Sequence, residues 1–435
     1  MADRREFLQM SALAAAFAPL VLPAKAQEEV AAPPAGDWAA IRSQFRLAPD
    51  FIHMSAMLLA SHPEPVRQAI ERHRNALDER TVAYIEQNND KLQARARAAA
   101  GDYLGIDGSH IALTDSTTAG VGLVYGGLVL TPEDEILSTT EDYYVTHEAT
   151  RLASLKTGAV RREIPLYNDI STVTPASLAD TVIRAIAPQT RVLALTWVHS
   201  STGLKLPMQE IATRLAEINK ERPEGREVLL CVDGVHAFGI EDFSFPELGA
   251  DFLMAGCYKW LFGPRGTGLI AASRRGLDSI GAIIPSFVSE RSFSAWIEDR
   301  DPVGAIDADT IMPGGFKAFE HLWSLPEAFA FVSSIGKTRI AERTHELVDQ
   351  LKRGLSQLDG VILRTPLAPE LSAGIVAFDL PGYRPWGVVR ALRNRKVVAS
   401  VAPYASQYVR LTPSILNTPE EIDLAIAAVR EVANG

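Results

Sequence analysis

The sequence is poor in cysteine, in positive charge and in long apolar runs, and each shortage closes off a class of function. Two cysteines in 435 residues cannot staple a disulfide scaffold. Asp and Glu number 53 against 43 Lys and Arg, a formal net charge of −10. The chain therefore lacks the basic field that a phosphate backbone requires, and no nucleic-acid partner is expected. Past the first residues no stretch is long and apolar enough to span a bilayer, so no stable membrane insertion is expected. The histidines show no metal-ligand spacing of the His-Glu-x-x-His kind, and no metal site is expected. Low-complexity runs and internal repeats are missing too. With 47% hydrophobic and 22% charged residues, disorder as the main state is excluded. The length suffices for two or three packed units around a large core.

What is present begins with a targeting segment. Arg4 and Arg5 precede an apolar residue, an Ala/Leu-rich stretch runs from Met10 to Leu22, and Pro23-Ala24-Lys25-Ala26 closes it. This is the three-region plan of an export signal, and the paired arginines point to the Tat export machinery. Cleavage near Ala26 and a periplasmic or otherwise exported location are expected. An Ala/Pro-rich leader follows to Asp37.

The remaining chain alternates helix-like and strand-like patterns. Pro65 to Ala100 reads as helical, as do Ser116 to Leu128 and Pro207 to Asn219. Short apolar runs at 110–114, 135–138, 191–196, 228–232, 252–255 and 268–271 read as strands. Strands separated by helices imply an α/β fold with a mostly parallel sheet covered on both faces. From about residue 315 a broken helical stretch, two strand-like runs (374–378 and 408–411) and a helix from Pro419 suggest a smaller α+β domain.

Asp233 ends one buried strand, and Lys259 follows the next, beside Trp260 and a Gly/Pro-rich turn. In open α/β sheets ligands sit outside the carboxyl ends of the strands, so both residues should face one crevice. A lysine in a partly apolar crevice has a lowered pKa and can form a Schiff base. A carboxylate facing a pyridine nitrogen keeps that ring protonated, the arrangement that lets pyridoxal phosphate act as an electron sink.

Asp233, His236 and Lys259, in that order and followed by Gly263-Pro264-Arg265-Gly266-Thr267-Gly268, resemble the fold-type I pyridoxal-phosphate enzymes of aminotransferase class V. That family includes cysteine desulfurases and isopenicillin-N-epimerase-like proteins. The resemblance covers nearly all of the chain after the signal. It implies that Lys259 carries the cofactor and is catalytic, that Asp233 faces the ring nitrogen, and that His236 touches the ring near its phenolic oxygen. Ser116, Thr117 and Thr118 stand where the family has its phosphate cup, at a helix N-terminus. Tyr144, with Tyr143 as second choice, stands where an aromatic stacks on the ring, and Ser200 where an Asn often sits. Arg410 stands where the family binds the substrate carboxylate in a bidentate fork. The implied division is 1–26 signal, 27–60 leader and arm, 61–312 large cofactor-binding domain and 313–435 small domain, with a homodimer as the assembly.

Each residue also has a plainer reading: a turn aspartate, a core histidine or tyrosine, an ordinary helix cap, an edge-strand arginine. Arg265 suits either a substrate contact or a structural ion pair. The charged cluster Glu290, Arg291, Glu298, Asp299, Arg300 and Asp301 suits either a solvated loop or a lid.

Departures from the family narrow the chemistry. Tyr258 replaces the frequent His before the lysine. Gly314-Gly315-Phe316 replaces a Gly-Thr-Pro at the dimer contact, so the hydroxyl that a partner subunit lends to the phosphate is missing. The stretch Ala399 to Pro403 holds no cysteine where the desulfurases carry their nucleophile. Persulfide chemistry is therefore not expected. The expected activity is transamination-type chemistry at Cα of an amino acid, or of an amino-acid group in a peptide. Epimerisation, elimination and decarboxylation on the same scaffold stay open, and the resemblance to exported siderophore-tailoring enzymes extends this to secondary-metabolite tailoring. A non-catalytic binding protein that kept the fold is the alternative from another class; the complete set of Asp233, Lys259 and Arg410 argues against it.

Overall fold

A computed structural model describes residues 37–435 of the chain. The expected export signal and most of the leader lie outside the described residues.

Two sheets organise these residues. The larger has seven strands: β2 (Ile111–Thr114), β3 (Glu135–Thr139), β4 (Val160–Ile164), β5 (Thr190–Thr196), β6 (Leu229–Asp233), β7 (Phe252–Gly256) and β8 (Gly268–Ala272). Their spatial order is β2-β8-β7-β6-β5-β3-β4. Only β8 runs antiparallel to its neighbours β2 and β7; the other pairs are parallel. β5, β6 and β7 are almost entirely buried, as continuous Val, Leu, Ile and Ala runs covered on both faces should be. The expected α/β fold with a mostly parallel sheet is therefore found.

The smaller sheet is antiparallel, with order β12-β13-β10-β9, built from β9 (Ile362–Leu363), β10 (Val376–Asp379), β12 (Ser400–Val401) and β13 (Val409–Leu411). Beside it, β1 (Ile52–His53) pairs in parallel with β11 (Val397–Val398), joining the first described residues to the last part of the chain.

Two apolar cores correspond to the two sheets. The first collects the strands of the large sheet with helices such as Glu64–Leu104 and Leu325–Ile335. The second collects Met54, Leu347, Leu351, Phe378, Val409, Leu411 and Val429. The change of core falls inside the helix Lys337–Ser356, whose Ile340 belongs to the first core and Leu347 onward to the second.

One hairpin links the large sheet to the small one. After β5 the chain folds back so that Val198 bridges Lys205, and Leu204 then bridges Ser372 ahead of β10. Gly203, at its turn, has φ +78°, and a Cβ there would lie 2.3 Å from the Ile375 carbonyl oxygen. Both the left-handed backbone and the close approach require glycine. Gly203→Ala is expected to destabilise the protein by roughly 2 kcal/mol or more, read as a lower urea midpoint.

Candidate active site

Every parallel strand ends at the same edge of the sheet, and the candidate residues lie just beyond those ends. They line a cavity of about 230 Å³, among them Thr117 after β2, Tyr143 after β3, Ser200 after β5, Asp233 and His236 at the end of β6, and Lys259 after β7. Thr118 also lines it. The second sheet contributes Arg410 from β13 and Pro403 from the turn before it. Residues far apart in sequence thus converge where the sheet's geometry predicts a ligand.

Asp233 is 3% exposed. One carboxylate oxygen accepts the Val235 N–H at 3.1 Å. Burial pushes its pKa up to about 6, opposed by that amide and by the positive charge of Lys259. Lys259 is pushed the other way, down to about 8, chiefly by burial; Asp233 opposes the shift and the Arg410 charge adds to it. Both groups are therefore poised near neutrality, the setting in which proton transfer is efficient.

His236 is buried, and its Nδ1 accepts the indole N–H of Trp260 at 3.3 Å. Burial, with Lys259 and Arg410 nearby, holds its pKa well below the usual range. A neutral ring that accepts at Nδ1 carries its proton on Nε2, so His236 offers the cavity a donor without a charge.

The phosphate cup has a matching signature. The helix Thr117–Gly127 begins at the cavity, and Thr117 Oγ1 and Thr196 Oγ1 are buried with no hydrogen-bond partner. Orphaned buried hydroxyls are costly unless a ligand satisfies them. A Cβ on Gly256 would stand 3.0 Å from Thr117 Oγ1, so glycine keeps this corner open. Helix N-terminal amides and unpaired hydroxyls suit a phosphate dianion, and the residues present fit pyridoxal phosphate. Ser116 lies apart from the lining: its hydroxyl oxygen caps the helix by accepting the Ala119 N–H at 3.1 Å.

Arg410 is 2% exposed, yet no carboxylate pairs with it among the described residues. Its guanidinium donates to Ser400 Oγ at 3.2 Å, the Ser200 carbonyl at 2.7 Å and the Val401 carbonyl at 2.8 Å. Burial lowers its pKa to about 10. A buried cation held only by neutral acceptors is a standing site for an anion.

The preference for Tyr144 over Tyr143 is corrected. Tyr143 is the N-cap of the helix Tyr144–Thr157, has an extended backbone and lines the cavity. Tyr144 opens the helix and is 66% exposed, beside Leu152 on an outer groove. Where extended chain turns into helix, neighbouring side chains leave in different directions. Arg265 is exposed and outside the lining. None of the charged residues between 290 and 301 lines the cavity, and Arg300 pairs with Glu298.

Sequence reasoning gave no role to several contributors. Met57 and Leu58 reach the cavity from the segment after β1. Asp142 is buried and accepts the Thr139 and Thr196 N–H groups at 2.7 and 2.6 Å, clamping the ends of β3 and β5. It carries the same sequence signal as Asp233, an acid just past a buried strand. Tyr404 hydrogen-bonds Ser200 Oγ at 2.8 Å and packs on Tyr143 with ring centroids 5.7 Å apart. Both cysteines are buried. Burial raises the Cys257 thiol to about 12 and the Cys231 thiol well above its usual value, so neither is a nucleophile.

Known proteins resemble this chain along most of its length. The Aminotransferase class-V family model matches residues 60–423. Isopenicillin N epimerase of Streptomyces clavuligerus is 27% identical over 397 residues, covering 89% of this chain and 96% of that protein. A probable cysteine desulfurase of Mycolicibacterium paratuberculosis is 25% identical over 429 residues, covering 92% of this chain and 58% of that one. Among solved structures, a mutant of C-DES with glycine covalently linked to its PLP cofactor shares the fold with a TM-score of 0.79 at 22% identity, covering 90% of this chain and 99% of that one.

The electrostatics make a signed prediction. In cofactor-free protein, labelling of Lys259 by an amine-directed reagent should rise with a midpoint near pH 8, followed by peptide mass spectrometry. Asp233→Asn removes the charge that holds this ammonium protonated, so the midpoint should move below that of the unmodified protein.

Proposed function

The chain belongs to the aminotransferase class-V family of pyridoxal-phosphate enzymes, and on that footing we propose that it moves a proton at Cα of an amino acid, or of an amino-acid group in a peptide, held by its carboxylate. The observation that carries this reading is the buried Arg410 guanidinium, with no acidic partner among the described residues, on the same cavity as Lys259 and Asp233.

Pyridoxal phosphate, when bound, withdraws electrons from the Cα of an amino acid joined to it and so acidifies the Cα–H bond. Lys259 would attach the cofactor and, once freed, take and return the proton at Cα; a pKa near 8 suits both directions. Asp233 would hold a proton at the ring nitrogen, since a buried carboxylate favours a cation opposite it. Thr117 and Thr118 with their helix amides would hold the phosphate, Tyr143 would pack on the ring, and His236 and Ser200 would donate to its oxygen. Arg410 would bind and orient the substrate carboxylate, with Met57, Leu58 and Pro403 limiting water at that side.

Transamination remains the reading preferred for the net reaction. Epimerisation is the second reading, favoured by the near-full-length match to an isopenicillin N epimerase. Desulfuration through an enzyme cysteine is not proposed, since neither thiol lines the cavity. The homodimer expected from the sequence is proposed as well. Its support is the run of exposed apolar side chains Tyr144, Leu152, Leu155 and Ile283 beside the site, which a second copy would cover. Export through the Tat route is proposed from Arg4 and Arg5 and the apolar stretch after them.

An amino-acid screen on the holo-protein tests the reaction. Loss of the amino group to the cofactor supports transamination, whereas Cα hydrogen exchange with inversion and no amino transfer supports epimerisation. With any substrate found, Arg410→Lys should raise the half-saturating concentration at least tenfold, because a point charge cannot replace the two-pronged guanidinium. Equal affinity in the variant would contradict the carboxylate role. For export, Arg4→Lys with Arg5→Lys should leave the protein in the cytoplasmic fraction; unchanged export would contradict the Tat assignment.

A further inference from the structure

Tyr404 lies outside the set of residues assigned above, yet two contacts and its place in the chain put it beside the carboxylate site. Its hydroxyl is 2.8 Å from Ser200 Oγ. Its ring packs on Tyr143. It also belongs to the turn joining β12 to β13, the two strands that hold Arg410, a turn closed by the Ala402 N–H to the Tyr408 carbonyl at 2.9 Å.

Arg410 is braced from two sides. β12 supplies Ser400 Oγ and the Val401 carbonyl, and the loop after β5 supplies the Ser200 carbonyl. These two supports belong to different sheets, so their separation is set by whatever joins them near the guanidinium. Tyr404 makes that join: it leaves the β12–β13 turn and bonds the side chain of the residue whose carbonyl holds Arg410. Burial raises its hydroxyl far above the usual phenol range, so it stays neutral and acts by hydrogen bonding alone.

We infer that Tyr404 is a positioning residue for the substrate carboxylate: by fixing the β12–β13 turn to Ser200, it holds the Arg410 fork aimed into the cavity to receive an α-amino carboxylate. This rests on the proposed role of Arg410. Three immobilised donors on one guanidinium also leave few orientations for the remaining N–H groups, which favours a planar carboxylate over a rounder anion.

The test uses the holo-protein and propionate, a carboxylate that cannot react, with binding followed by the cofactor's absorbance. Tyr404→Phe keeps the ring contact with Tyr143 and removes only the hydroxyl. It should weaken propionate about fivefold, and Ser200→Ala, which also removes the donor to the cofactor's oxygen, should weaken it at least as much. The double variant should be no weaker than Ser200→Ala alone, because the Tyr404–Ser200 bond is lost in all three. With a reacting amino acid, Tyr404→Phe should raise the half-saturating concentration by more than it lowers the saturated rate. Propionate binding unchanged in Tyr404→Phe, or additive losses in the double variant, would overturn the inference. If Tyr404→Phe binds normally while Arg410→Lys does not, the positioning role fails and the function stands. If Arg410→Lys also binds propionate normally, the reading of the site fails with it. A loss of binding in Tyr404→Phe that tracks a fall in melting temperature, and that Tyr404→Trp shares, would mark a merely structural residue and overturn the inference too.

Discussion

A buried guanidinium, held by neutral oxygens and without an acidic partner among the described residues, sets the terms for the rest of this structure. Arg410 shares its cavity with Lys259, and Asp233 is the one carboxylate among the lining residues. The cavity therefore holds two cations and one anion in a chain whose overall charge is −10. Burying these cations is unfavourable until an anion arrives: burial lowers the pKa of both Lys259 and Arg410, and the Arg410 charge adds to the shift at Lys259. A phosphate at the helix Thr117–Gly127 and a carboxylate at Arg410 would each relieve it. The site is thus strained toward binding two anionic groups, one at either end of the crevice.

The fold supplies this arrangement cheaply. Parallel strands bring their carboxyl ends to one edge, so short loops deliver Thr117, Tyr143, Ser200, Asp233 and Lys259 without long excursions. The second sheet must then be held close, because Arg410 lies on it. The hairpin from Val198 to Lys205 does this at its base through Leu204 and Gly203, and the Ser200–Tyr404 bond does it at its tip. Asp142 fixes the strand ends beneath.

Much of this was legible in the residues. The buried strands declare themselves as continuous apolar runs, and an acid or a lysine at the end of such a run is conspicuous because burial is costly there. Asp233 and Lys259 were readable for that reason. Less legible features depend on direction or distance. Tyr143 and Tyr144 are chemically identical neighbours, and only the start of the helix decides which one faces the cavity. The edge strand β4 carries Arg161, Arg162 and Glu163, and its charges hide its strand pattern. The pairing of β1 with β11 joins Ile52 to Val397, a contact that no local pattern encodes. Met57 and Leu58 reach the cavity, and Tyr404 reaches Ser200, through such non-local packing. Asp142 carries a visible signal, an acid just past a buried strand.

The central claim is that Lys259 is the residue that carries pyridoxal phosphate in this cavity. The most direct measurement is peptide mass spectrometry of the holo-protein after borohydride treatment. One pyridoxyl-phosphate group per chain is expected, fixed to Lys259 and absent from Lys259→Ala. A label on another lysine, or no label on a correctly folded protein given excess cofactor, would contradict it.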